Sequence, residues 1–469
     1  MSGAVYFIQP DMKKHFLLLT IVLLTAFQST SQNFIPASNL AESHSEKMPS
    51  ALLVSNSDTI FSYIIKQSVS SVYPVIKYLK QGNSYSLDIF KSYYASMISR
   101  IFIHEQLLYF VGKTQFATGD SIRIFVLKTD SQLNPIDTVF IKPFVKNLLY
   151  FKVTDNFPDI GVIYVAESPS PTIPKAIYSI SFSPEGEIYS HQTAPLEVNT
   201  AFLADVTDTP EGNIAVAGHY SIPGVPGTMP GCFMFNDSLT FDRFWVYPPT
   251  EEFGFQQYGI VIYSNTHFIS CSTAYVSARA YLADTVIGYP QNYRYYIETM
   301  LADTAGHVFK STVFGAGDTT LYPAFAKHLV ATIDNSLFIV WTKDIESECF
   351  PYCNNISWIG VTYLNDSLEI EWERFFGGDA FYTSHIAEPA PGGGIVIAGT
   401  RYRYNDPGQP HEVILLSVTT EGIITGTAGN MPVEGRQAIV YPNPGDASLF
   451  VQTGRHIYQA EFTLYDING

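Results

Sequence analysis

The sequence predicts an all-β protein, a β-propeller of about seven four-stranded blades followed by a partial C-terminal β-sandwich, and three observations predict it. The first is composition. Of 469 residues, 46% are hydrophobic and 14% aromatic, with 33 Phe and 31 Tyr, while only 15% are charged. Such a chain buries a large core and favours strands that carry aromatic and β-branched side chains. The second is an apolar strand ending in a small residue and then polar positions, which recurs at 107–114, 160–168, 212–220, 267–275, 335–343 and 393–401. With Gly112, Ala166, Gly218, Cys271, Trp341 and Gly399 taken as equivalent, the steps are 54, 52, 53, 70 and 58 residues. The third is the alternating strand that follows each of these, beginning at Ile122, Ala176, Cys232, Tyr296, Ile359 and Val413. Each runs into a turn of Asn, Asp, Ser or Gly and then another strand, the pattern of a hairpin.

From the amino terminus, Lys13, Lys14 and His15 precede a twelve-residue apolar run at 16–27, followed by Gln28, Ser29, Thr30, Ser31 and Gln32. A charged, apolar, small-residue order of this length is that of a secretory signal peptide. Residues 1–32 are assigned to it, with Met12 a more conventional start than Met1. No later apolar run is long enough to cross a bilayer, so no transmembrane segment is expected in the mature chain.

Residues 50–428 form the repeat domain. A weaker first copy occupies 57–96, where the turn is Gln81, Gly82 and Asn83. Units of some 50 residues with about four short strands each suit propeller blades, which bury their faces on one another. A row of sandwich modules is the rival architecture, but a sandwich usually takes about 100 residues. Two copies nearly coincide: Asn236-Asp237-Ser238-Leu239 runs on to Phe241-Asp242-Arg243-Phe244, and Asn365-Asp366-Ser367-Leu368 runs on to Trp372-Glu373-Arg374-Phe375.

The candidates for chemistry are few. Lys and Arg number 26 against 43 Asp and Glu, for a net charge of −17, which repels phosphate backbones and excludes nucleic acid as a partner. The cysteines Cys232, Cys271, Cys349 and Cys353 are even in number and follow the export segment, so disulfides or buried thiols are expected rather than a metal site. No nucleophile elbow, His-Glu-x-x-His, Walker loop or dinucleotide pattern occurs. No cofactor is expected. Calcium is the one ion that turn residues such as Asp237, Asp303 and Asp366 would suit, and they are equally the residues that hairpin turns require. Tyr293, Tyr295, Tyr296, Tyr402 and Tyr404 lie in longer inserts, where they either stack on sugar rings or fill space between blades.

One unit reads Trp372-Glu-Arg-Phe-Phe-Gly377-Gly378-Asp379, then Pro391 to Thr400 as PGGGIVIAGT, then Glu421-Gly422. It resembles the repeats of secreted bacterial propellers. The carboxyl end, 438–469, carries Tyr441-Pro442-Asn443-Pro444, then Leu449-Phe450-Val451, then 462–469 as FTLYDING. In order and spacing it closely resembles the start of the C-terminal sorting domain used by the type IX (Por) secretion system of Bacteroidetes. That resemblance implies a small β-sandwich recognised by type IX machinery at the outer membrane, a linker at 429–437, and a protein secreted or held at the outer-membrane surface. Its motif positions are Tyr441, Pro442, Asn443, Pro444, Leu464, Asp466 and Gly469. The family pattern continues past the Asp-x-x-Gly turn, so this copy reads as truncated. Two functions fit: a binding scaffold for a glycan, peptide or protein, or an exported hydrolase or lyase whose acids converge at the propeller mouth.

Overall fold

The computed structural model describes residues 46–452 apart from 56–57, 69–70, 81–82, 91–94, 116–121, 144–147, 155–156, 168–174, 195–199, 210–211, 222–228, 247–260, 269–273, 284–293, 304–307, 315–320, 325, 332–336, 345–353, 366, 392, 406–410, 427–438 and 443–448. The described residues form seven antiparallel units of four strands in chain order, the first two joined by a single parallel pair, Val72 with Ala95, and the inner strand of the sixth split in two. The inner strands are Glu46–Ser55, Ala95–His104, Leu148–Val153, Thr200–Asp208, Val261–Phe268, the pair Leu321–Pro323 and Leu329–Ala331, and Phe381–Pro389. Each packs on the next, and the seventh returns to the first. Buried apolar clusters lie between sheets rather than within them: Ile101, Phe110 and Phe125 of blade 2 meet Ile60 and Ile76 of blade 1, and Phe338 and Val361 of blade 6 meet Ala387 and Ile397 of blade 7. The fold is a β-propeller.

The ring closes without sharing a strand. Blade 1 and blade 7 each supply their own four strands, and the seam is made by Leu52 and Phe61 against Ile386, Val396, Ala398 and Leu415. Thr400 Oγ1 donates to the Lys47 carbonyl across it, at 3.0 Å. Thr342, the corresponding residue of blade 6, also hydrogen-bonds to the next inner strand, there to a side chain, its hydroxyl 3.0 Å from Ser384 Oγ. The seam therefore repeats an ordinary blade-to-blade contact.

A one-residue bulge recurs in the inner strands. Ser50, Ser99, Leu149, Ala204, Tyr263 and His385 are each the extra residue. The second-strand residue opposite the position just before the bulge is Gly112, Ala166, Gly218 and Gly399 in blades 2, 3, 4 and 7. In blade 6, Trp341 faces Pro323 in the same way. Five of the six residues equated by sequence are thus equivalent. The fifth blade differs: the place falls to Ala280, opposite Ile262, and Cys271 lies outside the described residues. The run 267–275 imitates a second strand in its apolarity but spans the connection between the inner strand and the second strand, Ala274–Ala283.

The small residues are needed for close approach. A Cβ on Gly112 would stand 2.1 Å from the Met97 carbonyl oxygen and 2.6 Å from the Phe125 ring. Blade 6 inverts the arrangement: Trp341 occupies the second strand, and Gly360 on the third strand leaves room for its ring, 2.5 Å from where a Cβ would be.

The near-identical Asn-Asp-Ser-Leu turns are five-residue connections between third and outer strands. Asn365 Oδ1 accepts from the amides of Ser367 and Glu369, and Asn236 Oδ1 from that of Thr240; Asp130 does the same for Gln132 and Asn134. The fourth residue has positive φ and is Leu133, Leu239 or Leu368, with Gly422 and Gly186 in blades 7 and 3. Leucine in this conformation is strained by about 1–2 kcal/mol. The strain is offset because each Leu is buried, 3%, 2% and 1% exposed respectively, and reaches the preceding blade. Ser179 Oγ donates to the Leu239 carbonyl and Thr312 Oγ1 to that of Leu368. Asp237 is exposed on such a turn, and among the described residues no group of His, Cys, Asp or Glu stands as a metal site.

Two stability changes follow. Leu368→Ala should cost about 2–4 kcal/mol in urea unfolding. Gly112→Ala should cost about 1–3 kcal/mol from overpacking, whereas Gly212→Ala, where a Cβ would meet nothing within 4 Å, should cost only the positive-φ strain.

Candidate functional site at the ring axis

Five charged residues of five blades converge at the axis. Arg100 and Asp205 directly follow the bulges of blades 2 and 4, where an inserted residue re-aims the side chains that come after it. Lys152 and Glu388 lie three residues past the bulged Leu149 and His385 of blades 3 and 7. Lys327 comes from blade 6 by another device. Where other inner strands insert one residue, this one leaves the ladder after Pro323 and rejoins it at Leu329, with Val340 between, whose carbonyl accepts from Ala324 and whose amide donates to His328. The detour pairs in parallel with blade 7 through Lys327 and Ile386.

Lys327 Nζ consequently meets Glu388 Oε2 at 2.8 Å, and Arg100 Nη1 lies 3.7 Å from the other oxygen, Oε1. Blades 2 and 7 are separated by blade 1, so this second pair joins inner strands that are not neighbours in the ring. Side-chain exposure is 28% for Arg100, 25% for Lys327 and 11% for Glu388. These three side chains are thus enclosed but not sealed from solvent. Lys152 and Asp205 are half-buried. Burial pushes the Lys152 ammonium below its usual range, with Arg100 and Lys327 adding to the effect and Asp205 opposing it. Burial pushes the Asp205 carboxyl up, against the attraction of Lys152, Lys327 and Arg100. Three basic groups face two acids in a chain whose net charge is −17.

A second charged network lies at the opposite end of the blade 7 inner strand. Arg401 pairs with Asp379 and Glu412, Arg403 pairs with Glu412, and Tyr382 donates to Asp379. Tyr402 is buried and stacks on His411 at 4.3 Å, so of the two readings of that tyrosine, packing is the one the geometry has.

Of the sorting positions, Tyr441 and Pro442 lie on the strand Ile439–Pro442, which pairs antiparallel with Leu449–Gln452, Tyr441 opposite Phe450. Asn443, Pro444, Leu464, Asp466 and Gly469 lie outside the described residues, as do the signal segment and Cys271, Cys349 and Cys353. Cys232 is buried, its Sγ 3.7 Å from the Phe233 carbonyl. None of the five axial residues was singled out by motif. For Arg100, Lys152, Asp205 and Glu388 the one signal is a charge inside an inner strand, as in Arg100 of ASMISRIFIH, and Lys327 has not even that.

No family model and no curated protein matches the chain. Solved structures do. An ulvan lyase of polysaccharide lyase family PL25, bound to -[GlcA(1-4)Rha3S]-, is similar over 83% of this chain and 97% of its own, at 9% identity and TM-score 0.52. A puromycin hydrolase mutant complexed with PGG is similar over 87% of this chain, at 10% identity and TM-score 0.52, and the chain spans 58% of its length. The β-propeller domain of the Trilobed protease from Pyrococcus furiosus is similar over 84% of this chain and 99% of its own, at 8% identity and TM-score 0.43. What these likenesses share with the chain is the fold.

Asp205 has a pH signature. With its folded pKa raised above 3.8, the folded state holds a proton the unfolded state has released, so this residue's contribution falls as pH rises through that window. The unfolding free energy of wild type minus that of Asp205→Asn should therefore decline as pH rises above about 4; a flat difference would contradict the assigned environment.

Proposed function

We propose that the protein is an exported binding scaffold that holds a glycan at the axis of its propeller and travels by the type IX secretion route to the cell surface or medium. The observation that carries the binding site is the meeting of Arg100, Lys152, Asp205, Lys327 and Glu388 at the axis. Enclosing charge costs stability, and apolar contacts between blades already hold the ring, so the cluster is read as facing a ligand. Glycan is chosen over peptide because the ulvan lyase, which has this fold, is bound to an oligosaccharide. The delivery half rests on the Tyr-Pro-Asn-Pro element and the strands after it.

An array of glycans probed with the full chain should show a retained subset that Arg100→Ala/Lys327→Ala loses; an array without retention would overturn the binding assignment. For delivery, the chain completed with the remaining strands of a sorting domain should appear outside the outer membrane of a type IX host. Retention in the periplasm while a known cargo passes would remove that half.

A second reading, a hydrolase or lyase, is favoured by one feature: Asp205 and Lys152 have pKa values displaced in opposite directions, as acid–base pairs do. New reducing ends or unsaturated products from the retained glycan would select it.

A further inference from the structure

We infer that the protein self-associates through the outer edge of blade 1, where the strand Asn83–Asp88 pairs antiparallel with the same strand of a second copy about a two-fold axis at Ser86. This contact is separate from the axial site. In blades 2 to 7 the outer strand carries one extra residue near its start: Ile136, Tyr189, Asp242, Phe309, Glu371 and Thr425. A bulge on an edge strand spoils the straight row of amides and carbonyls that another strand needs. Several of these edges are guarded further, by Pro135 and Asp137 in blade 2, by Asp242 and Arg243 in blade 4, and by the brevity of Ile424–Gly426 in blade 7.

Blade 1 has none of these devices. Its outer strand follows the third strand, Ser71–Lys80, in unbroken register from Lys80 opposite Asn83 to Val75 opposite Asp88, and its one charge is the terminal Asp88. Among the described residues no strand pairs with its other side. The amide of Ile89 donates to the Pro74 carbonyl at 3.2 Å, and this fixes the alternation. Asn83, Tyr85 and Leu87 turn their backbone groups to the third strand, while Ser84, Ser86 and Asp88 turn theirs outward. The side chains of those three are exposed.

The edge complements itself, which is why a second copy is its partner. With Ser86 opposite Ser86 of the other copy, Ser84 falls opposite Asp88, so the two carboxylates do not face each other. The outward residues of the two strands then exchange about six backbone hydrogen bonds. Tyr85 falls opposite Leu87 in the close, non-hydrogen-bonded pairs. Both are half-buried against the cluster that blades 1 and 2 share, and the second copy covers part of what they still expose. The contact is small and each copy carries a net charge of −17, so the dimer is reversible and strengthens as salt screens the repulsion.

The test is analytical ultracentrifugation of the full chain over a dilution series, where a monomer–dimer equilibrium is expected that added salt shifts toward dimer. Ser86→Pro removes an outward amide at a place where an edge strand tolerates proline, and should raise the dissociation constant by about tenfold or more. Ser86→Lys, which sets two ammonium groups face to face, should weaken the dimer likewise while the exposed site leaves the urea midpoint unchanged. Ser86→Cys should give a disulfide-linked dimer under oxidation that wild type does not give, because directly opposed residues have Cα atoms about 5.5 Å apart, within reach of a disulfide. Ser84→Cys, which lies opposite Asp88 rather than its own copy, should not. A chain that is monomeric at every soluble concentration overturns the proposal. So does a dimer indifferent to both Ser86→Pro and Ser86→Lys, or cross-linking as ready at Ser84→Cys as at Ser86→Cys.

Discussion

The structure depends on the extra residue in the inner strands. A bulge shifts register by one, so residues after it change the direction they face relative to an uninterrupted strand. Six inner strands carry it, and in blades 2, 3, 4, 5 and 7 the second strand answers with Gly or Ala, small enough for the backbone to approach, whereas blade 1 places Tyr63 there. The repeating feature of the sequence, an apolar strand ending in Gly or Ala, is the imprint of that approach. Blade 6 shows the same constraint by breaking it. Its inner strand leaves the ladder after Pro323 and rejoins it at Leu329, and Trp341, opposite Pro323, is accommodated by Gly360 on the next strand rather than by being small.

Because blades are joined by their faces, the ring is held by contacts of one recurring kind, including the closing one. Thr342 to Ser384 and Thr400 to Lys47 are successive instances. The turns contribute from the rim. A Leu at positive φ is tolerated where its side chain enters the neighbouring interface, so local strain and inter-blade packing are balanced within a single residue. This explains why Asn-Asp-Ser-Leu recurs nearly unchanged although its acidic residue is exposed in blade 4: Asn caps the turn and Leu joins blades, while Asp237 does neither.

Much of the architecture was therefore legible in the sequence, since periodic turns and a small residue at a fixed place are properties of each unit by itself. The fifth blade was misread because 267–275 has the same apolar run, and apolarity does not distinguish an inner strand from a second one. The axial cluster was not legible. Arg100, Lys152, Asp205, Lys327 and Glu388 are spread over almost 290 positions, and nothing in their spacing relates them; only closure of the ring brings them together. Lys327 is the hardest case, since it belongs to no regular strand and reaches the axis through an insertion.

The charge balance of the molecule bears on what such an axis can select. At a net charge of −17, the outer surface repels an acidic polymer at long range, but the Debye length at physiological ionic strength is only about 8 Å. Beyond that distance the repulsion is screened, and within it the local arrangement decides. An enclosed site strengthens pairwise attraction because less water screens it. The attraction of Glu388 for Lys327 and Arg100 is therefore stronger than that between the same charges placed on the rim.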